Sequence, residues 1–379
     1  MTRIRATAVL AAAIFLVHCS SETLPLQPID WQRVAGAGPG GSVLGPNPNP
    51  NAFDRVGNFT VSAFKDGDIV RLYYGGAGVE PAARCAGIND VHWRIGLATS
   101  TDGVTFTRQP GSEAGGAILN NGAPGDFDSF LTYRPYVLKD GSTYRMWYNG
   151  ATQPFNCPAG KLGLDRRIGY AESSDGLHFE KKNTGPGIGG SMLELGGPGS
   201  IDEKQVGYVW VIKDTDEYKM YYSANDAQNF WRVALATSPT ALPGTWTKKP
   251  GKLTGGAILD IGPVGSFDVA CAYQPSVFKE RDQLYRMWYR GCQTAGNPNG
   301  PSRGVIGYAE SNDGITWVKT LQDGRPVGAA LVAGPAGTFD SGGLTTPSVF
   351  LDGNTWNMYY AGFDTSGVFL TGLARAPHQ

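Results

Sequence analysis

The chain has 379 residues, of which 41% are hydrophobic and 17% charged, and its formal net charge is −1. This length is ample for a large buried core, and the near-neutral charge gives no electrostatic reason to bind nucleic acid or an acidic membrane surface. The 54 glycines and 25 prolines are spread along the chain. Frequent turns of this kind predict an all-β protein with many short strands.

The first nineteen residues differ from the rest of the chain. Two arginines precede the apolar run "ATAVLAAAIFLV", which is too short for a membrane span and is typical of a secretion signal over residues 1–19. The sequence "LVHCSS" resembles a bacterial lipoprotein signal, in which Cys19 would be lipidated. His18 replaces the small residue usual before that cysteine, so simple secretion is the alternative. We expect export to the periplasm, the outer membrane or the medium, membrane contact only through the lipid, and a short linker at 20–28.

Four cysteines follow the leader, and export places them in an oxidising compartment where disulfides form. Cys85, Cys157 and Cys292 follow aromatic strands, and Cys271 lies upstream of Cys292 in the same repeat. These positions favour the pairs Cys85–Cys157 and Cys271–Cys292, although four cysteines permit three pairings. A metal cluster is the weaker interpretation, because no C-x-x-C spacing occurs and the chain has only four histidines. We predict no metal site and no cofactor, and leave a structural calcium open.

One unit recurs five times along the chain. Its opening aspartate lies 74, 74, 66 and 72 residues from the next copy, and seven residues further on each copy has a valine or a proline. An aromatic segment follows, such as "TYRMWYNG" or "LYRMWYRG", and then a segment such as "RIGYAESSDGLHF". We number these units I to V by their aspartates, which are Asp54, Asp128, Asp202, Asp268 and Asp340.

The alternation within each unit predicts four short strands joined by Asp-Gly turns. Repeated four-stranded antiparallel sheets indicate a five-bladed β-propeller that forms one domain over 29–379. Unit V lacks its last strand, and the N-terminal "IDWQRVAG" at 29–36 parallels the missing piece. We therefore expect the N-terminal strand to complete the last sheet and to close the ring, which removes an exposed sheet edge. We expect a monomer.

The pairing of "YRMWYNG" with "IGYAESSDG" strands resembles the five-bladed arabinanase, levansucrase and invertase superfamily, to which glycoside hydrolase families 32 and 43 belong. The resemblance covers the chain from Ile29 to Pro377. It implies a carbohydrate substrate and three carboxylates on the first three blades, which act as base or nucleophile, modulator and acid. The hairpins at Ser100–Phe106, Ser173–Phe179 and Ser311–Trp317 resemble degenerate Asp-boxes of sialidases, where the Asp caps its turn.

The expected catalytic position holds no carboxylate in this chain. In the resembled family an Asp often precedes the proline of the inner strand, whereas here Thr60, Arg134, Tyr208, Gln274 and Thr346 stand before the Val or Pro. The nearest candidates lie upstream: Glu203 as the acid, Asp54 and Asp128 as base and modulator, and Asp202 beside Glu203. One of these carboxyl groups must be charged and another protonated at the same pH, so their surroundings must separate their pKa values. Because the aspartate recurs in every unit, the alternative is that it caps a turn by accepting backbone N–H groups.

Residues that differ between the units are the better candidates for sugar contact. Aromatic rings stack on the C–H faces of sugars, and the branched polar groups of Arg and Gln form hydrogen bonds with sugar hydroxyls. The alternatives are packing between the inner strands for Tyr133 and Tyr273 and a salt bridge from Arg134 to Asp128 or Asp202. For His92, which we expect with Trp93 in a long loop, the alternative is a structural role. The candidate sugar-binding residues are Tyr133, Arg134, Trp210, Tyr273, Gln274, His92 and Trp93.

Two functions follow from these observations. The first is an exported glycoside hydrolase that acts on a polysaccharide or oligosaccharide, including furanose-containing ones, by two-carboxylate acid/base hydrolysis at the mouth of the central channel. The second is a non-catalytic propeller that binds a carbohydrate or a protein. The missing carboxylates before the inner-strand prolines favour the second.

Overall fold

The structure is a computed structural model that describes residues 29–79, 91–152, 165–293, 304–320 and 329–378. Within these ranges the chain is all-β, as the sequence predicts, with 21 strands and short 3-10 turns but no α-helix. Across the same residues no helix is long and apolar enough to cross a membrane.

Every unit contributes four antiparallel strands, which confirms the predicted strand content. Unit I contains β2 (Gly57–Asp66), β3 (Ile69–Val79), β4 (Val91–Ser100) and β5 (Thr107–Gln109). Unit II contains β6 (Leu131–Asp140), β7 (Thr143–Ala151), β8 (Arg167–Ser173) and β9 (Glu180–Lys181). Unit III contains β10 (Gln205–Lys213), β11 (Tyr218–Asn225), β12 (Trp231–Ser238) and β13 (Thr247–Lys249). Unit IV contains β14 (Cys271–Arg281), β15 (Leu284–Cys292), β16 (Val305–Ser311) and β17 (Val318–Lys319), with β18 (Ala329–Leu331) also paired to β16. Unit V contains β19 (Gly343–Asp352), β20 (Thr355–Phe363), β21 (Phe369–Pro377) and β1 (Gln32–Val34).

The first strands of the five units pack in cyclic order, β2 beside β6, then β10, β14, β19 and β2 again. Serine hydroxyls tie neighbouring units together, since Ser62 accepts the backbone N–H of Val137 and Ser348 accepts that of Ala63. All five strands line one cavity at the centre of the molecule. The hydrogen-bonded sheets themselves are open, and single parallel bridges join units I and II and units III and IV.

The predicted pairing of the N-terminal strand with the last unit is confirmed. β1 pairs antiparallel with β21, and Gln32 lies opposite Arg375. Trp31, just before β1, is buried and its ring meets that of Trp288 edge-on at 6.0 Å. The start of the described chain is therefore anchored in the core between units IV and V.

The second strand of each unit carries the aromatic residues that fill the core. Trp147, Trp288 and Trp356 are fully buried, as the doubled aromatic pattern predicts for strands covered on both faces. At the turn before the second strand, Gly67, Gly141 and Gly353 have positive φ values of 62°, 62° and 56°. Glycine adopts this left-handed backbone without a steric penalty, which explains the repeated Asp-Gly turns.

The predicted capping of the Asp-box-like hairpins is confirmed. In the first of them, Asp102 accepts the backbone N–H groups of Val104 and Thr105, both at 2.7 Å, and the hydroxyl of Ser100. Asp175 and Asp313 repeat this pattern. The backbone N–H groups of Thr105 and Val104 lower the pKa of Asp102. These aspartates stabilise turns.

Trp93 and His92 are not in a loop, contrary to our prediction. Both lie on β4, where His92 pairs with Gly78 and Trp93 with Ala77. The strand extends further than expected because the apolar alternation of "VHWRI" continues its pairing with the glycine-rich end of β3. The side chain of His92 lies outside the described part of the structure.

One predicted disulfide is confirmed. Cys271 and Cys292 are bonded across β14 and β15, with their Cα atoms 5.1 Å apart. Cys85 and Cys157, the other predicted pair, lie outside the described residues, as does Cys19.

Removing this disulfide should lower stability. The bond closes a loop with a sequence separation of 21 residues, and cross-linking a loop of that length contributes about 3 kcal/mol by restricting the unfolded chain. A variant carrying both Cys271→Ser and Cys292→Ser should therefore lose about 3 kcal/mol of unfolding free energy in urea. Wild-type protein under reducing conditions should lose at least this amount, because reduction breaks Cys271–Cys292 together with the predicted Cys85–Cys157 bond. An unchanged unfolding midpoint in the double variant would contradict the expectation.

Candidate functional site

The five recurring aspartates are buried in five equivalent networks. Each carboxylate accepts the hydroxyl of a tyrosine on the second strand of its own unit, at 2.7–3.1 Å. Each also pairs with a cation at 2.5–2.8 Å. From unit I to unit V the tyrosines are Tyr74, Tyr148, Tyr222, Tyr289 and Tyr360, and the cations are Arg108, Lys181, Lys248, Lys319 and Arg33.

These networks join the segment before the first strand to the second and fourth strands of each unit. In unit II, burial and then the charge of Asp128 raise the pKa of Tyr148 well above its usual value, so the phenol stays protonated and donates. The alternative to catalysis that we derived from the sequence was a turn cap that accepts backbone N–H groups. Among the described hydrogen bonds, the donors to Asp128 are instead side chains, namely those of Tyr148 and Lys181.

The four predicted catalytic carboxylates do not meet in either of the two cavities described below. Asp54, Asp128 and Asp202 are each bound within their own unit, whereas Glu203 is half-buried and lines a separate cavity beside unit III. The central cavity is lined by none of the four. Their catalytic roles stay a prediction, and the repeated networks favour a structural role for the three aspartates.

In all five units, the residue directly before the recurring Val or Pro of the first strand has a left-handed backbone. The φ angles are 65° for Thr60, 57° for Arg134, 52° for Tyr208, 55° for Gln274 and 47° for Thr346. The strand register shifts at each of these points, which marks a β-bulge. Such a conformation costs a non-glycine residue about 1–3 kcal/mol and is typical of functional positions. The five bulges place these residues around the central cavity.

The central cavity is small, and polar side chains are among the residues that line it. It has about 30 Å³ accessible to water, enough for a water-sized occupant and too little for a sugar ring. Arg134 lies in it with its guanidinium carbon 3.5 Å from the ring centre of Tyr208 and 4.2 Å from that of Phe59. Arg134 forms no salt bridge with Asp128 or Asp202, whose ion-pair partners are Lys181 and Lys248.

The other residues predicted to contact sugar are mostly buried, and of them Trp210 and Gln274 line this cavity. Tyr133 and Tyr273 are fully buried and their hydroxyls accept N–H groups of Arg166 at 2.7 Å and Arg290 at 3.0 Å. Trp210 lines the central cavity and its ring lies 4.5 Å from that of Tyr136. Trp93 packs its ring against Phe59 and Tyr133. Sugar contact by these residues stays a prediction.

A much larger cavity lies beside unit III, and we call it the unit III cavity. Its volume is about 590 Å³, within the range of ligand pockets. It is lined by two carboxylates, those of Glu203 and Asp226, together with Gln228, Phe230 and Arg232. Phe230 is partly exposed and offers an apolar ring to a ligand.

The polar groups of the unit III cavity are held in defined positions. Arg232 is buried and donates to Asp226 at 2.5 Å and to Asp260 at 2.6 Å. Asp226 also accepts the backbone N–H of Phe230 at 2.9 Å. Glu203 accepts the backbone N–H of Gly199 and forms no ion pair among the described residues. The cavity thus presents one ion-paired and one unpaired carboxylate.

Sequence reasoning identified Glu203 but missed Asp226, Phe230 and Arg232. A signal was present, because unit III joins its second and third strands by the short segment "DAQNF", where units I, II and IV have long insertions. Among the described residues there is no cluster of three or more His, Cys, Asp or Glu side chains arranged to hold a metal ion.

Comparisons with known proteins show the fold. No family model matches the chain. In sequence it is similar to the uncharacterized protein Rv1502 of Mycobacterium tuberculosis, with 29% identity over 238 residues, which is 62% of this chain and 68% of that protein.

In structure the chain is similar to a glycosyl hydrolase from Bacteroides ovatus, with a TM-score of 0.63, 16% identity and coverage of 92% of this chain and 93% of that one. It is also similar to the β-1,2-mannobiose phosphorylase of Listeria innocua, with a TM-score of 0.59, 14% identity and coverage of 88% and 96%. A structure of the GH130 family of mannoside phosphorylases and glycoside hydrolases gives a TM-score of 0.63 at 16% identity, over 93% of this chain and 95% of that one. The likeness is therefore to glycoside hydrolase folds, while the narrower resemblance to families 32 and 43 is not confirmed.

Proposed function

We propose that this protein is a carbohydrate-active enzyme of the glycoside hydrolase kind, and that it binds its oligosaccharide in the unit III cavity. The observation that carries the proposal is the pair of carboxylates, Glu203 and Asp226, in a cavity of about 590 Å³. The similarity of the fold to glycosyl hydrolase and mannobiose phosphorylase structures supports it. We further propose that the five strand groups are the blades of a five-bladed β-propeller, which the cyclic packing of the first strands supports.

The two carboxylates of the cavity suit different roles. Glycoside hydrolysis needs one carboxyl group to protonate the leaving oxygen and a second, charged one to act on the sugar or on a water. Asp226 is ion-paired to Arg232, the environment of a charged carboxylate. Glu203 has no ion-pair partner among the described side chains and lines the same cavity. We assign the acid role to Glu203, and the ring of Phe230 to stacking on a sugar face.

The experiment is a screen of purified protein against a panel of polysaccharides and oligosaccharides, read by the release of reducing ends. The panel includes furanose-containing polysaccharides and β-1,2-mannosides. On any substrate found, Glu203→Gln should lower kcat by about 10²–10⁴-fold, since it removes a proton donor. Glu180→Gln, at an exposed glutamate of β9, is the matched control and should keep the wild-type rate. A Glu203→Gln variant that also keeps that rate would contradict the assignment.

A non-catalytic carbohydrate-binding protein is the second candidate. The observation that favours it is the lack of a carboxylate directly before the Val or Pro of the first strand in all five units, where the resembled family often has its catalytic Asp. Saturable binding of a glycan without release of reducing ends over long incubation would establish this alternative and exclude hydrolysis. Export of the chain, with or without lipidation of Cys19, stays part of the proposal.

A further inference from the structure

Arg134 is a buried cation without a hydrogen-bond partner. Its side chain is 3% exposed, and all three guanidinium nitrogens lack a partner in the described structure. The rings of Tyr208 and Phe59 lie 3.5 and 4.2 Å from the guanidinium carbon. Cation–π contacts of this kind stabilise a desolvated cation. The five N–H donors of the guanidinium group lie in its own plane, so stacked rings do not satisfy them.

Gln274 faces the same cavity with its amide donors unused. Its carbonyl oxygen accepts the backbone N–H of Thr346 at 2.9 Å and the hydroxyl of Thr345 at 2.5 Å. Because a backbone N–H can only donate, this contact fixes which end of the amide is the oxygen. The Nε2 group, which is buried, therefore remains without a partner.

The unsatisfied groups of the central cavity are dominated by donors. Arg134 and Gln274 supply only N–H groups there, and the unpartnered hydroxyls of Tyr208 and Thr346 can donate as well. The residues that line the cavity carry no acidic side chain. Burying a cation and several donors without an acceptor is costly. A bound acceptor with negative charge would offset this cost.

We propose that the central cavity binds one small monovalent anion of about the size of chloride. The volume of about 30 Å³ accessible to water admits an occupant of that size and excludes a sugar ring. Arg134 of unit II supplies the charge, and the Nε2 group of Gln274 in unit IV supplies a second contact from another strand of the ring. The anion would link the bulges of units II and IV, and the site is independent of the unit III cavity.

The direct test is a crystal of the full chain soaked in bromide, which scatters anomalously. The proposal predicts a single bromide peak in the central cavity, in contact with Arg134 and the Nε2 group of Gln274. Water alone at that position under saturating bromide would overturn it.

A charge-substitution variant tests the same site in solution. In wild-type protein the Tm should rise with chloride concentration when gluconate, which is too large for the cavity, replaces chloride at constant ionic strength, because a ligand that binds only the folded state stabilises it. Gln274→Glu places a carboxylate in the cavity that Arg134 also lines and should abolish this rise. Gln32→Glu, at an exposed position of β1, is the matched control and should keep it.

The outcomes of the solution test are decisive in either direction. Loss of the chloride dependence in Gln274→Glu, with the dependence kept in Gln32→Glu, supports the site. A wild-type Tm that does not respond to chloride, or an equal response in the Gln274→Glu variant, overturns it. Arg134→Gln removes the cation and should also lose the response.

Discussion

The Asp128→Asn variant is expected to lose about 3 kcal/mol of unfolding free energy, the low end of the loss for breaking a buried ion pair. Asp128 is fully buried, while Lys181 keeps about a quarter of its side chain exposed and so retains part of its hydration. The amide would leave the charge of Lys181 and the buried hydroxyl of Tyr148 with a weaker acceptor. Urea unfolding followed by tryptophan fluorescence measures the loss.

Asp268→Asn is the matched control for this expectation. Asp268 lies in unit IV, outside the predicted catalytic set, and binds Tyr289 and Lys319 in the same way. A structural role for the repeated aspartates predicts similar losses for both variants. If Asp128→Asn abolished an activity while leaving stability at the wild-type value, and Asp268→Asn did not, then Asp128 would be a catalytic residue.

Trp31→Ala should lower the unfolding free energy by about 3–5 kcal/mol, the usual cost of truncating a buried tryptophan. Trp31 is 4% exposed and contacts Trp288 of unit IV, while the strand that follows it pairs with β21 of unit V. The substitution leaves a cavity where the two ends of the chain meet. Equilibrium unfolding in urea measures the change.

Gln32→Ala is the control for the N-terminal strand, because Gln32 is exposed on the same strand. Its effect should stay within about 0.5 kcal/mol, as for most surface substitutions. A Trp31→Ala variant as stable as the wild type would show that the N-terminal strand is not anchored in the folded core.

Much of the scaffold is predictable because it rests on local patterns that recur. The alternation and the Asp-Gly turns predicted the strands, and the parallel between "IDWQ" and other fourth strands predicted the partner of β1. The serine, aspartate and glycine of each Asp-box-like hairpin lie within a few residues of each other, so their contacts follow from sequence.

The partners of the repeated aspartates were harder to predict because they come from distant strands. Lys181 follows Asp128 by 53 residues and Lys319 follows Asp268 by 51. The sequence shows a basic residue on each fourth strand. It does not show that this side chain reaches the aspartate before the first strand of the unit.

The two cavities depend on how separate units converge. Arg134 of unit II lies between Phe59 of unit I and Tyr208 of unit III, and its local sequence contains no sign of that sandwich. The unit III cavity likewise forms where the segment after Asp202 meets the short connection that contains Asp226.

The position of a bound oligosaccharide tests the central claim most directly, namely that repeated residues build the scaffold and that residues differing between units form the sites. A crystal structure of the Glu203→Gln variant with the oligosaccharide found in the screen would show it. We predict that the sugar occupies the unit III cavity, in contact with Asp226 and the ring of Phe230. A sugar bound at the central axis beside Tyr133 and Tyr273, with the unit III cavity empty, would contradict the account.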